Sequence, residues 1–435
     1  MGMIGQMTET EPRSLAAPFR RRVFYIPGYD PIHPRRYREL YRKEGQAQAE
    51  YSGYTIDLKP KKIKGPYGWQ VSGQIEAAAT VADIEVLVWS DIVRHSMNPG
   101  ILGTYLQLMR TARAYIGSGA LFRLMQLRKG PMIAALYPIA MLLLQLLLAI
   151  GAGFAVAFGF ATLINYAQTQ VYGPPFGFGP LFYVQAYGGL VVLVGVTILT
   201  LRWFRAKDSR FFAYYLMHDY AFSAQTGGAN PAQLEARMRD FRRAIAAALT
   251  GPYDEVLVVG HSSGAHLAVS ILADLIRDGL PAAHPVLSFL SLGQVVPMVS
   301  FLPKATRLRA DLYYLSARPD LFWLDVTAPG DGCAFALCDP VAVSGVAPPN
   351  KLWPLVMSAA FTQTLSAARW KELRWRFFRL HFQYLCAFDN LAGAVSDYDY
   401  FRITAGPLTL AQRYSGRAAS KSRIERATSG YTSIA

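Results

Sequence analysis

Charge is absent from a long internal part of this sequence: residues 131–201 contain no Asp, Glu, Lys, Arg or His. About 20 apolar residues are enough to cross the hydrocarbon core of a bilayer. The uncharged run therefore holds two predicted spans, one within 131–165 and one over 181–204, which are joined by the Gly- and Pro-rich segment 166–180. We predict a transmembrane helical hairpin over residues 131–204 rather than a buried hairpin of a soluble core.

Cysteine is scarce as well, and the three cysteines (Cys333, Cys338 and Cys386) are too few and too unevenly spaced for a disulfide framework or a zinc site. The first residues lack the apolar stretch of a secretory signal. The net charge of +15 would suit nucleic acid, but 52% of the residues are hydrophobic and no zinc-finger, RNP or helix-turn-helix pattern is present. We expect free thiols in a reducing compartment, no metal and no nucleic-acid partner.

Basic residues flank the uncharged run on both sides, whereas the segment between the two spans has none. Basic residues collect on the cytoplasmic side of membrane proteins. We therefore expect a membrane protein with two spans, with the bilayer as partner and with both termini and the main domain in the cytoplasm. The residues that carry this prediction are Arg123, Arg128, Lys129, Arg202, Arg205, Lys207 and Arg210.

Residues 256–272 read VLVVGHSSGAHLAVSIL, which is an apolar strand, a sharp turn and a helical pattern in immediate succession. Ser262 lies at the apex of the turn, where its hydroxyl can be exposed to a base. Gly260 and Gly264 leave room for the turn, and the N–H of Ser263 lies where it can stabilise an oxyanion. The alternative interpretation is a buried strand that ends in a tight glycine turn.

On these residues the chain resembles the α/β-hydrolase superfamily, which includes serine esterases and lipases. The resemblance implies a parallel sheet with helices on both faces and a triad in the order nucleophile, acid, histidine. Of the seven histidines, only His381 lies far enough after Ser262 to be the implied base. The alternative for His381 is a histidine of an aromatic-rich core.

The implied acid must be an aspartate, because no glutamate occurs between Ser262 and Lys371. Residues 322–326 are a predicted strand, and Asp331 lies in the turn that follows it. Open α/β sheets carry their chemistry at the carboxyl ends of the strands, so Asp331 is the preferred acid. Asp325, within the strand, is the second choice and Asp339 the third. An ordinary turn aspartate is the alternative for Asp331.

The resemblance also implies a second oxyanion donor after an early strand. The strand at 22–26 opens into Pro27, Gly28 and Tyr29, so we predict the Gly28–Tyr29 turn, and the N–H of Tyr29 in particular, as this donor. Pro27 departs from the family pattern, in which histidine is common before the glycine. An ordinary turn is the alternative.

Strands alternate with helical patterns on both sides of the hairpin, which predicts the α/β class. Further strands are expected near 54–58, 69–75, 84–91 and 286–292. The hydrolase-type sheet is thus expected to be interrupted by the hairpin. Its predicted division is a flexible segment at 1–20, a first part at 21–130, the hairpin at 131–204, a second part at 205–410 and a basic disordered tail at 411–435.

These features predict a membrane-anchored serine hydrolase that cleaves an ester or thioester of an amphiphilic substrate and needs no cofactor. The alternatives are acyl transfer on the same fold and a non-catalytic membrane scaffold. Large apolar residues before His381 are further expected to contribute to a cleft for an acyl chain, and packing in the core is the alternative for most of them. They are Trp353, Leu355, Phe361, Leu365, Trp370, Trp375, Phe377 and Phe378.

Overall fold

The computed structural model describes residues 18–97, 100–173, 182–391 and 397–435. The strands of the described chain are β1 (Phe19–Ile26), β2 (Thr55–Pro60), β3 (Gly68–Ile75), β4 (Ala78–Val86), β5 (Glu255–His261), β6 (Val286–Leu292), β7 (Leu321–Thr327) and β8 (Leu355–Ser358). The helices that precede β5 in the chain are α1 (Arg35–Ser52), α2 (Ser90–Ser96), α3 (Gly100–Gly117), α4 (Ala120–Leu127), α5 (Lys129–Tyr172), α6 (Phe182–Ala206), α7 (Asp208–Phe211), α8 (Ala213–Ala224) and α9 (Ala232–Ala248). The helices that follow β5 are α10 (Ser263–Arg277), α11 (Val296–Ser300), α12 (Thr306–Ser316), α13 (Pro340–Val343), α14 (Phe361–Thr364), α15 (Ala367–Leu373), α16 (Phe377–His381), α17 (Tyr400–Ala405) and α18 (Leu410–Tyr414).

All eight of these strands belong to one sheet with the order β2-β3-β4-β1-β5-β6-β7-β8. The predicted α/β class with helices on both faces is confirmed, and the sheet joins strands from both sides of the hairpin. The sheet is mixed, because β3 runs antiparallel to β2 and to β4 while the remaining neighbours are parallel. The short connections between β2, β3 and β4 explain this difference, since antiparallel neighbours need only a tight turn.

The central strands are buried on both faces, as the alternation of β1 illustrates. Val23 and Tyr25 pack into a core with α1, α17 and α18 on one face. Phe24 and Ile26 pack into a second core with α9, α10 and α12 on the other face. Parallel strands covered on both sides are expected to be largely apolar, which explains the apolar run at 256–259 within β5.

The carboxyl ends of β1, β5, β6 and β7 lie at one edge of the sheet, because these four strands are parallel neighbours. The turns that follow them begin at Pro27, Ser262, Gly293 and Ala328. The predicted nucleophile, acid and oxyanion turn therefore start from the same edge.

Helices α5 and α6 are both long and apolar enough to cross a membrane. With 44 residues, α5 is about 66 Å long at 1.5 Å per residue, roughly twice what the core of a bilayer requires. Its first turns pack against the domain, where Met132 and Leu142 are buried. Its later turns lie along α6, where the hydroxyl of Thr197 donates to the carbonyl of Ala149 over 3.4 Å.

The predicted connection of the hairpin, 166–180, is partly helical, because α5 continues to Tyr172. A continuous helix satisfies its backbone hydrogen-bonding groups internally, which favours extension of the helix through these uncharged residues. The rest of the predicted connection, 174–180, lies outside the described residues.

The predicted chain ends differ from the structure. Of the segment expected to be flexible, 1–17 lies outside the described residues, while Phe19 and Arg20 already belong to β1. The expected disordered tail is wrong, because the chain after α18 runs over the domain and hydrogen-bonds to it. The N–H of Ile424 donates to Leu337 over 2.7 Å, and the N–H of Thr428 donates to Val343 over 3.0 Å. These bonds hold the backbone of a segment whose composition alone suggested disorder.

Candidate active site

Ser262 lies between the end of β5 and the start of α10 in a backbone conformation that few non-glycine residues adopt. Its φ is 56° and its ψ is −122°. Its N–H donates to the carbonyl of Leu292 at the end of β6 over 2.9 Å, which holds the turn against the sheet. Such an unfavourable backbone conformation persists only where the surrounding contacts hold it in place, and residues of this kind cluster at functional sites.

His381 and Asp331 are brought together by the helical segment at 377–381 and the turn after β7. Nδ1 of His381 lies 2.7 Å from Oδ2 of Asp331, and both side chains are buried. The other carboxylate oxygen of Asp331 accepts the N–H of Cys333 over 2.9 Å. The carboxylate is thus held in one orientation, with one oxygen bonded to the imidazole.

The two other aspartates considered as acids lie elsewhere. Asp325 is fully buried within β7, where it accepts a hydrogen bond from Ser291 over 2.5 Å and where burial raises its pKa to about 8. Asp339 caps α13 through the N–H groups of Val341 and Ala342. Neither carboxylate contacts the imidazole of His381, so the structure pairs that ring with Asp331 among the three.

Ser262 and His381 line the same cavity, which also contacts Gly28 and Tyr29. The second ring nitrogen of His381, Nε2, is buried and has no hydrogen-bond partner among the residues that the structure describes. Catalytic hydrogen bonds are often long in unliganded enzymes and shorten when a substrate binds. The cavity therefore holds a serine hydroxyl together with an imidazole nitrogen that can accept a proton.

The predicted oxyanion turn packs directly on the serine. A Cβ atom at Gly28 would lie 2.9 Å from Cβ of Ser262, so this approach requires glycine. The carbonyls on either side of Gly28 are fixed: Pro27 accepts the indole N–H of Trp89 over 2.9 Å, and Tyr29 accepts the phenol of Tyr215 over 2.6 Å. Opposite this turn, Ser263 is the first residue of α10, where a backbone N–H has no helical acceptor.

Three residues that the sequence did not single out support the histidine and the acid. The ring of His261 lies 4.9 Å from that of His381 between centroids, and its Nε2 contacts the carbonyl of His381 over 3.0 Å. Burial lowers the pKa of His261 to about 3, with a further contribution from His381, so this ring is neutral. The phenol of Tyr384 donates a hydrogen bond to Oδ2 of Asp331. Gly293 lies so close to the rings of His381 and Tyr384 that a Cβ atom there would clash with them.

The sequence offered only weak signals for these three residues. His261 directly precedes the predicted nucleophile, and Tyr384 follows the predicted base by three residues, which is one turn of a helix. Gly293 directly follows a predicted strand. No pattern signalled Asp219, which lies on α8 in the wall of the cavity and whose pKa is raised by burial to about 7.

Of the eight large apolar residues before His381, only Phe378 lines the cavity, so the alternative of a place outside the cleft holds for the other seven. Trp353 packs on Phe322 with ring centroids 4.8 Å apart, and Phe361 packs on Tyr384 at the same separation. Trp375 is 73% exposed at the surface. Trp353, Leu355, Phe361, Leu365 and Trp370 instead belong to or pack against the core on one face of the sheet.

Asp331, Cys333 and His381 also bring three potential metal-ligand atoms within 4.8 Å of one another. A metal would require a thiolate from Cys333. Burial raises the pKa of that thiol well above its usual value, and the carboxylate of Asp331 adds to the effect. Since Nδ1 of His381 and Oδ2 of Asp331 already bond each other, these residues fit a hydrogen-bonded pair better than a metal centre.

Comparison of the chain with protein-family models, with curated proteins and with solved structures gives no match. The eight-stranded mixed sheet is compatible with the α/β-hydrolase fold but is not specific to it.

Proposed function

We propose that this protein is a serine hydrolase that cleaves an ester or thioester. Ser262 is the nucleophile, His381 the general base and Asp331 the acid that orients the histidine. The observation that supports the proposal most is the 2.7 Å contact between His381 and Asp331 beside the cavity that His381 shares with Ser262. That contact occupies Nδ1 and leaves Nε2 as the nitrogen for the serine proton.

In the proposed reaction, Oγ of Ser262 attacks the carbonyl carbon while Nε2 of His381 takes the hydroxyl proton. The negative charge that develops on the carbonyl oxygen is stabilised by N–H groups of Ser263 and Tyr29. Collapse of this intermediate breaks the bond to the alcohol or thiol, which leaves with the proton from His381. Water then attacks the acyl-enzyme by the same proton route and releases the acid.

We further propose that α5 and α6 anchor this domain to the cytoplasmic face of a membrane. The basic residues named above lie at or next to the start of α5 and the end of α6, which favours a cytoplasmic location for both of these helix ends. Helix α3 supports a surface at the bilayer, because one of its faces exposes four large apolar side chains at helical spacing, with the exposed Arg113 among them. The four apolar side chains are Leu102 at 76%, Leu106 at 42%, Met109 at 63% and Ile116 at 52% exposure.

A fluorophosphonate probe tests the proposed chemistry without knowledge of the substrate, because it reacts with activated serines. We expect the wild type to be labelled, Ser262→Ala to be silent, and His381→Ala to be labelled about 10³-fold more slowly. Ser263→Ala is the matched control, since it removes the neighbouring hydroxyl and keeps the backbone N–H. Equal labelling of the wild type and Ser262→Ala would overturn the proposal and leave the non-catalytic scaffold.

A further inference from the structure

A second cavity lies between α3, α5 and α8 on the side of the domain where the hairpin begins, and we call it the apolar pocket. Its walls include Tyr115, Met132, Ala135, Met217 and Met298. Of the described residues that line it, none is charged, and the only polar side-chain groups are three hydroxyls. Such a lining suits a hydrocarbon and offers nothing that would bind an ion.

The apolar pocket adjoins the catalytic cavity. Tyr115, Tyr220 and Met298 line both cavities and so lie between them. The phenol of Tyr115 donates to the carbonyl of Met298 over 2.9 Å, which links two of these three residues. Methionine is unbranched and adapts its shape to what it contacts, so Met298 is well suited to a boundary that a flexible chain crosses.

The other end of the apolar pocket reaches the surface beside the hairpin. Ile116 on α3 and Leu136 on α5 line the pocket, and they are 52% and 39% exposed. Ile116 is the last of the exposed apolar side chains named on α3, and Leu136 lies within the first candidate span. The pocket thus extends from an apolar surface next to the hairpin to the wall of the catalytic cavity.

We propose that the apolar pocket binds a hydrocarbon chain of the substrate, which enters from the bilayer between Ile116 and Leu136 and directs its ester or thioester to Ser262. This inference rests on the proposed function and names its substrate class as a long-chain amphiphile. The chain is held by the first turns of α5, so the membrane helix forms part of the binding site as well as the anchor. The polar end of the substrate remains in the catalytic cavity, beside Asp219 and His381.

Chain length is the variable that tests this proposal, because a buried methylene contributes a roughly constant gain in binding. With the full chain in bilayer nanodiscs, we expect kcat/KM for p-nitrophenyl esters to rise by up to about tenfold for each two carbons until the pocket is full. Ala135→Phe fills the pocket, so it should lower the octanoate-to-acetate ratio of kcat/KM by at least about tenfold. The matched control is Ala140→Phe, an identical change at an exposed position of the same helix.

A second pair of variants covers the case in which Ala135→Phe impairs folding. Ile116→Trp obstructs the outer end at a half-exposed position, and Leu102→Trp makes the same kind of change at a more exposed position of α3 away from the pocket. We expect Ile116→Trp alone to lower the octanoate-to-acetate ratio. Equal ratios in the wild type and in both pocket variants would overturn the chain site while leaving the proposed hydrolase intact.

Loss of the hydrolase function gives a different result, which is no turnover of any ester and no fluorophosphonate labelling of the wild type. The pocket is then tested by photocrosslinking with a diazirine-bearing hexadecyl ether in the same nanodiscs. Met217 and Met298 are buried, so a lipid that stays at the protein surface does not reach them. Crosslinks on these residues that Ala135→Phe abolishes would support the pocket, and crosslinks confined to lipid-facing positions of α5 and α6 would refute it.

Discussion

The phenol of Tyr384 donates a hydrogen bond to Oδ2 of Asp331 over 3.0 Å, and that oxygen also contacts Nδ1 of His381. The phenol oxygen in turn accepts the N–H of Ala328 over 3.0 Å. One side chain therefore ties the proposed acid to the end of β7. Bonds to ionised acceptors are among the stronger hydrogen bonds of proteins, so Tyr384 is a positioning residue for the histidine–aspartate pair.

Replacement of Tyr384 by phenylalanine is expected to slow fluorophosphonate labelling of Ser262 by about tenfold, because a bond to a charged group contributes about 1.5–3 kcal/mol. The ring remains, so packing under His381 is preserved. Tyr41→Phe is the control, since it removes a buried hydroxyl that bonds Thr404 away from the site. Labelling at the wild-type rate in Tyr384→Phe would show that Asp331 needs no such support.

Asp331→Asn is expected to lower the labelling rate by about 10³-fold, because the amide favours the wrong tautomer of His381. Asp325→Asn should keep nearly the wild-type rate, since Asp325 with its raised pKa is already mostly protonated at neutral pH. Asp339→Asn weakens the cap of α13 and the ion pair with Lys351, so we expect it to lower the thermal stability rather than the labelling rate. Greater damage to labelling from Asp325→Asn, in protein that is still folded, would contradict the assignment of the acid.

Two kinds of feature of the site could be predicted from sequence: those formed by contiguous residues, and those that lie just after the end of a recognisable strand. The strand, turn and helix around Ser262 are contiguous, and their periodicity can be seen directly in the sequence. Asp331 follows a strand that is apolar enough to be recognised, and the mixed sheet places that strand end near the serine. The His381–Asp331 contact spans 50 residues, but the order of the resemblance reduced the candidates to one histidine.

Other features depend on contacts that no local pattern carries. The backbone bonds of Ile424 and Thr428 join the tail to segments about 85 residues away, so composition suggested disorder where the structure has order. Along α5 the sequence is apolar all round, and periodicity therefore does not distinguish Ala135 in the pocket wall from exposed Ala140. The support from Tyr384 and Gly293 likewise follows from the way the segment at 377–385 folds over the end of β6.

Gly293→Ala is expected to abolish most labelling while the protein stays folded. Its φ is +52°, and a Cβ atom would lie 2.7 Å from a ring carbon of Tyr384 and 3.1 Å from Cε1 of His381. The matched control is Gly53→Ala, at a φ of +68° with nothing within 4 Å of the added atom. Both variants share the backbone penalty of about 1 kcal/mol, so a difference in labelling reports the displacement of the two rings. Equal labelling of both variants would argue against that displacement.

Thermal stability is expected to decrease as the pH rises from 6.5 to 8. Burial raises the pKa of Asp325 to about 8 and that of Asp219 to about 7, so the folded protein holds protons that the unfolded chain releases near pH 4. Stability therefore falls with increasing pH, by up to about 1.4 kcal/mol per pH unit for each group. Below pH 6.5 the buried histidines act in the opposite direction, because the unfolded chain binds their protons more tightly.

Asp325→Asn should flatten this dependence, since the amide resembles the protonated acid and still accepts from Ser291. Differential scanning fluorimetry in detergent at pH 6.5, 7.25 and 8 measures the slopes of the variant and the wild type. Parallel slopes would contradict the raised pKa of Asp325.

The orientation of the hairpin is tested by the reactivity of introduced cysteines in intact cells. Gln170→Cys lies at an exposed position near the end of α5, and Thr250→Cys lies at an exposed position of the main domain. Since basic residues flank the hairpin on the domain side only, an impermeant maleimide should label Gln170→Cys in intact cells and Thr250→Cys only after permeabilisation. The native Cys386 is buried and would be silent on either side, so it cannot serve as the internal reference. The reverse pattern would overturn the topology, and silence of both until permeabilisation would show that the hairpin does not expose its end outside the cell.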